Sequence, residues 1–247
     1  MFDYAAPAEL LKNRIILITG AGDGIGRAAA LSFAQHGATV ILAGRTVKKL
    51  EAVYDQIEAA GYPQPAIFPI NLEGAAPHDY EVVAAAIEKE FGKIDGLLNN
   101  ASALGNRTPI ENYDPSVWNQ VMQVNVNAQF FLTQAMLPLL MKSDDASVIF
   151  TSSGVGRKGS AYWGAYAVSK FATEGMMQVL ADELENTSNI RVNAINPGPT
   201  RTNMRAHAYP AENPNNLATP EQIMPAYLYL MGADSKGTNG QSLDAQS

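Results

Sequence analysis

The sequence predicts an α/β fold: a single doubly wound domain over residues 1–247, with a parallel sheet of about seven strands and helices on both faces. Two observations predict it. Short, β-rich apolar runs alternate along the chain with longer helix-like stretches, and strands joined by helical crossovers must lie parallel. A glycine-rich turn, TGAGDGIG, sits between the first of the apolar runs and the first helix-like stretch, the place where open α/β sheets bind nucleotides.

The elements follow in order. RIILIT (14–19) is a strand, and GIGRAAALSFAQHG is a helix closed by Gly37. TVILAG (39–44) is the second strand, followed by a helix over TVKKLEAVYDQIEAAG that Gly61 ends. AIFPI is the third strand, HDYEVVAAAIEKEFG the third helix and DGLLNNA the fourth strand. One long helix is expected from 117 to about 141, with Pro138 tolerated near its end. SVIFTSS, the helix AYAVSKFATEGMMQVLADELEN and the strand IRVNAINPG come next. A short helix over 221–231 and a last strand within GQSLDA close the chain. The stretch NMRAHAYPAENPNNLAT (203–219), rich in Pro, Asn and Ala, reads as a long loop with room for a short helix. Such loops in compact domains often act as lids, so 203–219 is expected to cover a substrate.

Composition excludes several function classes. Of the 247 residues, 47% are hydrophobic and 17% charged, ordinary for a globular domain that can bury one large core. The net charge of −7 suits neither nucleic acid nor anionic lipid. There are no cysteines, hence no disulfides and no thiolate metal site, which fits a reducing compartment. The opening MFDYAAPAEL lacks the basic start and apolar run of a secretory leader, and no run approaches membrane-spanning length. A cytoplasmic protein with no membrane, nucleic-acid or metal partner is expected.

Gly20, Gly24 and Gly26 have the spacing G-x-x-x-G-x-G, which is not the G-x-G-x-x-G dinucleotide motif. The physical function of such a turn is the same. Glycines let the backbone approach a pyrophosphate, and the helix start behind them attracts negative charge. At the end of the second strand, where NAD-binding folds place a carboxylate for the ribose 2′-hydroxyl, this chain has Gly44 and then Arg45, with Lys48 and Lys49 close by. An arginine there grips a 2′-phosphate with forked hydrogen bonds. NADP(H) is therefore expected in preference to NAD(H), which stays the alternative. Asp23, inside the turn, weighs slightly against it.

TGAGDGIG, NNAS (Asn99 to Ser102), Asn125 in VNVNA, Ser153, YAVSK (Tyr166 to Lys170) and NPGPTRT (Asn196 to Thr202) together resemble the short-chain dehydrogenase/reductase family. The resemblance runs from about residue 12 to 244 and implies a Rossmann-type fold. It implies a tetrad of Asn125, Ser153, Tyr166 and Lys170. It also implies a nicotinamide dinucleotide against Gly20, Asp23, Gly24, Ile25, Gly26 and Arg45, with Asn71 and Leu72 at the adenine. Asn100 and Ala101 would line the adenosine side, Pro197, Gly198 and Thr200 would flank the nicotinamide, and Tyr166 and Lys170 would touch the cofactor too. Three departures stand out: Asn71 where the family usually has Asp, Ser102 where it has Gly, and LDAQ in place of a VDGG ending.

Tyr166 and Lys170 are four residues apart, so a helix puts them on one face. A phenol is almost wholly protonated at neutral pH, and a nearby ammonium favours its anion, so a lowered tyrosine pKa is expected. Ser153, thirteen residues before Tyr166, lies at a strand's C-terminal end, where such sheets hold ligands. By the resemblance, Ser153 bonds the substrate oxygen, Tyr166 moves the proton, Lys170 also binds the ribose, and Asn125 holds a relaying water. The implied activity is hydride transfer between NADP(H) and a small carbonyl or secondary alcohol. A catalytically silent nucleotide-binding scaffold and an isomerase with the same cofactor are the competing readings.

The substrate pocket is expected from LGNRTPIENYD, GVGRKGSAYWGA and the 203–219 loop, with Tyr162 and Trp163 as wall or as packing, and His207 as polar surface. The two longest helices are apolar over more than one face, which predicts a dimer. The family resemblance extends that to a tetramer.

Overall fold

Seven strands hydrogen-bond side by side in a computed structural model that describes residues 1–246. They are β1 (Ile15–Thr19), β2 (Thr39–Gly44), β3 (Ala66–Pro69), β4 (Gly96–Asn99), β5 (Ala146–Thr151), β6 (Ile190–Asn196) and β7 (Ser242–Asp244). Every pairing is parallel, in the order β3-β2-β1-β4-β5-β6-β7. The chain winds outward from β1 in one direction and from β4 in the other. This reversal opens a crevice beyond the C-terminal ends of β1 and β4.

The central strands β1 and β2 are largely apolar because both their faces are buried, whereas β6 carries Arg191 and Asn193 and the edge strand β7 is Ser-Leu-Asp. Ile16, Ile18, Val40, Leu42 and Leu98 face α1 (Gly24–Gln35) and α2 (Val47–Ala59) in one core. Leu17, Ile41, Leu97, Val148 and Phe150 face the other core, under α3 (Pro77–Phe91). The period-2 alternation of side chains thus sorts neighbours in one strand into opposite cores.

The helix expected over 117–141 is two helices and a junction. α4 (Pro115–Met122) and α5 (Ala128–Leu140) are joined by a π-helical turn over Gln123–Asn127, and Pro138 lies inside α5. One extra residue in a turn leaves the apolar pattern nearly intact, so composition does not reveal it. Such turns recur at functional sites, and this one carries Asn125, which is fully buried. α6 (Gly164–Leu184) is the longest helix. The 203–219 stretch contains α7 (Asn203–Ala208) and a 3₁₀ turn over Pro214–Asn216, and α8 (Met224–Met231) returns to the core. Among the described residues no helix is long and apolar enough to cross a membrane.

At the N-terminal end of the central strands, away from the crevice, an ion network ties the sheet together. Asp145 accepts from Arg14 at 2.9 Å and from Arg191, and Arg191 also donates to Ser235 and to the Gly232 carbonyl. Beside it Asp95 accepts from Lys93 at 2.7 Å, Ser143 at 2.6 Å and the Ile15 amide at 3.0 Å. Burial pushes both carboxyls up, yet the hydrogen bonds and positive charges around them hold both below the usual carboxylate range.

Candidate active site

The crevice is a cleft of about 830 Å³. Its first wall is the glycine turn. Gly20 (φ 68°) and Gly24 (φ 51°) occupy the left-handed region that glycine adopts without strain. A Cβ on Gly26 would lie 2.2 Å from the Gly20 carbonyl oxygen, so this glycine sits beneath the turn and does not line the cleft. Asp23 caps α1 through the Gly24 amide at 2.8 Å. It also pairs with Lys49 at 2.5 Å and accepts from Asn203 at 3.2 Å. The Lys49 ammonium, above all, holds its carboxyl below the usual range. The negative charge expected to count against a phosphate is therefore already neutralised by Lys49. Arg45 is exposed at the rim and, among the described residues, forms no ion pair. Gly20, Asp23, Gly24, Ile25, Arg45, Asn71, Leu72, Asn100, Ala101, Pro197, Gly198 and Thr200 all line the cleft.

β5 delivers Ser153 and α6 delivers Tyr166 and Lys170 to the same cleft. Lys170 is 1% exposed, its Nζ donates to the Thr151 carbonyl at 2.8 Å, and it lies 5.5 Å from the Tyr166 ring centre. The lowered tyrosine pKa expected from spacing is not what the geometry produces. Burial pushes the Tyr166 phenol up to about 12, and the Ser153 hydroxyl beside it pulls the other way. Burial also pulls the Lys170 ammonium down to about 8, against the Glu174 charge one turn later. Spacing reveals a shared face, whereas the desolvation of the phenol is a property of the packed cleft.

Asn125 does not line the cleft. Its Oδ1 accepts from the Ala103 amide at 2.7 Å, while its Nδ2 donates to the Ala103 carbonyl and the Ser169 hydroxyl, each at 2.9 Å. Both side-chain N–H groups are engaged, so the side chain clamps the loop after β4 onto α6.

Several residues at the site escaped the sequence reading. Thr19 Oγ1 accepts from the Asn100 and Ala101 amides at 2.9 and 3.0 Å, fixing the ends of β1 and β4 together. Gly22 packs so closely that a Cβ would meet the Lys49 Cβ at 2.9 Å; its place in TGAGDGIG was the available signal. Gln246 Nε2 donates to the Pro197 and Pro199 carbonyls at 2.7 and 3.0 Å, so the altered tail braces the 197–200 loop. His207 lines the cleft with Nδ1 against the Asn203 carbonyl, whereas Tyr162 is 57% exposed and Trp163 forms the wall.

The groups present fit a dinucleotide. The cleft crosses the C-terminal ends of β2, β1, β4 and β5, so the strands that lead to Arg45 and Ser153 lie three strand spacings apart, roughly 14 Å. It pairs amide-bearing backbone at a helix start with an uncommitted cation at one end and a phenol–ammonium pair at the other.

The family profile described as short chain dehydrogenase matches residues 14–213. The chain is 54% identical over 243 residues to an uncharacterised oxidoreductase, YciK, of Escherichia coli, covering 98% of this chain and 96% of that one. A short-chain dehydrogenase structure from Pseudomonas syringae superposes with a TM-score of 0.98 at 62% identity over the full length of both chains. Another from Shigella flexneri, complexed with NADP, gives 0.95 at 54% identity over 98% of this chain and 100% of that one. With a seven-stranded parallel sheet, a cleft at its switch point and these likenesses along its whole length, the chain belongs to the short-chain dehydrogenase/reductase family of NAD(P)-dependent oxidoreductases.

Proposed function

We propose that the protein reduces a carbonyl or oxidises a secondary alcohol with NADP(H), with Tyr166 as the proton donor or acceptor. One observation carries the reading: Ser153, Tyr166 and Lys170 meet at one end of the cleft that has the glycine turn and Arg45 at the other. The Shigella flexneri relative complexed with NADP supports the cofactor. When bound, the nicotinamide supplies the hydride. Gly20, Gly24 and Ile25 hold the pyrophosphate against the start of α1, Arg45 holds the 2′-phosphate, and Asn71 and Leu72 face the adenine. Asn100 and Ala101 line the adenosine side, and Pro197, Gly198 and Thr200 flank the nicotinamide, braced by Gln246. Ser153 Oγ donates to the substrate oxygen and Tyr166 Oη gives it the proton. Lys170 stabilises the resulting phenolate and binds the ribose, and Asn125 positions α6. The loop 203–219 closes over the substrate. A silent scaffold is not favoured, since cofactor binding by itself has no use for the Ser153 hydroxyl and Tyr166 phenol set together in the cleft.

A panel of ketones with NADPH, followed at the reduced-nicotinamide absorbance, tests the reading. Net consumption is expected, with NADPH preferred over NADH at least tenfold. Arg45→Ala should erase most of that preference, because a charge-assisted contact is typically worth about 1.5–3 kcal/mol. Product without cofactor consumption would favour an isomerase, and equal use of NADH and NADPH would remove Arg45 from its role.

The proposal extends to assembly. Phe130 on α5 and Val168, Phe171 and Val179 on α6 are 40–59% exposed, apolar positions on two helices whose other faces cover the sheet. A symmetric dimer or a tetramer through these helices covers them. Light scattering at micromolar protein should return a multiple of the chain mass, and a monomer would refute the assembly.

A further inference from the structure

Around Tyr166 the cleft is lined by apolar and aromatic side chains. Trp163, Tyr166 and Ala208 are buried together, with Leu104, Val155, Met204 and Tyr209 packed against them. The three rings are tilted to one another. The Trp163 centroid lies 5.5 Å from that of Tyr166 and 6.0 Å from that of Tyr209. Two guanidiniums lie near this wall, one paired with a carboxylate and the other held by two rings and a backbone carbonyl. Arg205 forms a two-pronged pair with Glu212 at 2.6 and 2.7 Å and stacks 3.9 Å from the Tyr209 ring centre. The Arg107 guanidinium lies between Trp163 and Tyr209, at 4.7 and 4.6 Å from their centroids, and donates to the Ala208 carbonyl. It clamps the start of the 203–219 stretch to the loop after β4, and it does not line the cleft. The His207 Nδ1 is held by the Asn203 carbonyl.

From this we infer that the substrate is an uncharged ketone, or the matching alcohol, carried on an aromatic or alicyclic ring. The inference rests on the reading that Tyr166 marks the reacting end. A flat ring matches tilted aromatic walls. A carboxylate or phosphate on the substrate would lose its hydration there and find Arg205 already neutralised by Glu212. Carboxylate-bearing keto acids and phosphorylated sugars are therefore poor substrates by construction of this wall.

The test compares acetophenone with 4-acetylbenzoate, which differ by one carboxylate. Binding to the enzyme saturated with NADP+ is read by tryptophan fluorescence, and turnover is read with NADPH. Acetophenone should bind at least tenfold more tightly than 4-acetylbenzoate. Glu212→Gln, which frees the Arg205 guanidinium at the cleft wall, should raise affinity for 4-acetylbenzoate severalfold relative to acetophenone. Equal or tighter binding of 4-acetylbenzoate by the unmodified enzyme would overturn the inference, as would failure of both ketones to bind. If acetophenone binds selectively but neither ketone nor alcohol turns over, the wall stands as described and the proposed oxidoreductase chemistry falls instead.

Discussion

Replacing Tyr166 by phenylalanine is expected to lower the rate of carbonyl reduction by about 10²–10⁴-fold while NADPH affinity stays within about twofold. The substitution removes one oxygen and little volume, so packing against Trp163 survives. What is lost is the proton for the developing alkoxide. Because burial holds the phenol at about 12, it is protonated throughout the physiological range, the correct state for reduction. Delivering that proton leaves a buried phenolate, and the Lys170 ammonium beside it is the group positioned to stabilise it. With Lys170 depressed to about 8, the ammonium is present below that pH and lost as pH rises through it. Reduction should therefore be flat near neutrality and decline above about pH 8. Full turnover by Tyr166→Phe on any substrate found would place the chemistry elsewhere in the cleft.

The parts of this arrangement that were legible in the sequence share one physical property: they are local. The central strands are readable because burial on two faces demands apolar runs such as Ile16 to Ile18 and Val40 to Leu42. The shared face of Tyr166 and Lys170 follows from helical spacing alone. What escaped is either long-range or energetic. The contact of Asn203 with Asp23 joins residues 180 positions apart, and Gln246 reaches a loop nearly fifty residues upstream. The π-helical turn at Asn125 adds a single residue to a pattern whose period is too coarse to register it. The direction of the Tyr166 shift required knowing how fully the packed cleft desolvates the phenol. Charge spacing predicts the attraction and is blind to the burial.

The same blindness hides the network beneath the sheet, and removing its centre is expected to have the largest effect on stability. Arg14, Asp95, Asp145 and Arg191 come from four distant segments, at or near the starts of β1, β4 and β5 and within β6. Asp145 is the anion shared by two guanidiniums whose side chains are only 12% and 9% exposed. Asp145→Ala leaves both charges in place without their partner. Stranding one member of a buried pair costs about 3–5 kcal/mol, and with Asp145 itself 17% exposed the lower figure is the better guide. For a chain of this length roughly 3 kcal/mol corresponds to a melting temperature about 6–12 °C lower. The pH dependence carries a definite sign. The folded carboxyls of Asp95 and Asp145 are depressed, so their contribution is complete above the unfolded pKa of about 3.9 and is lost as pH falls through the folded values. The unmodified protein should hold its melting temperature from neutrality to about pH 5 and drop below pH 4, and Asp145→Ala should show a shallower drop because one of the depressed carboxyls is gone. NADPH titration should be unchanged in the variant, since the network lies at the opposite end of the strands from Arg45 and Ser153. A melting temperature within 2 °C of the unmodified protein at pH 7 would show that the two arginines find other partners, and that the central strands are held by their apolar faces alone.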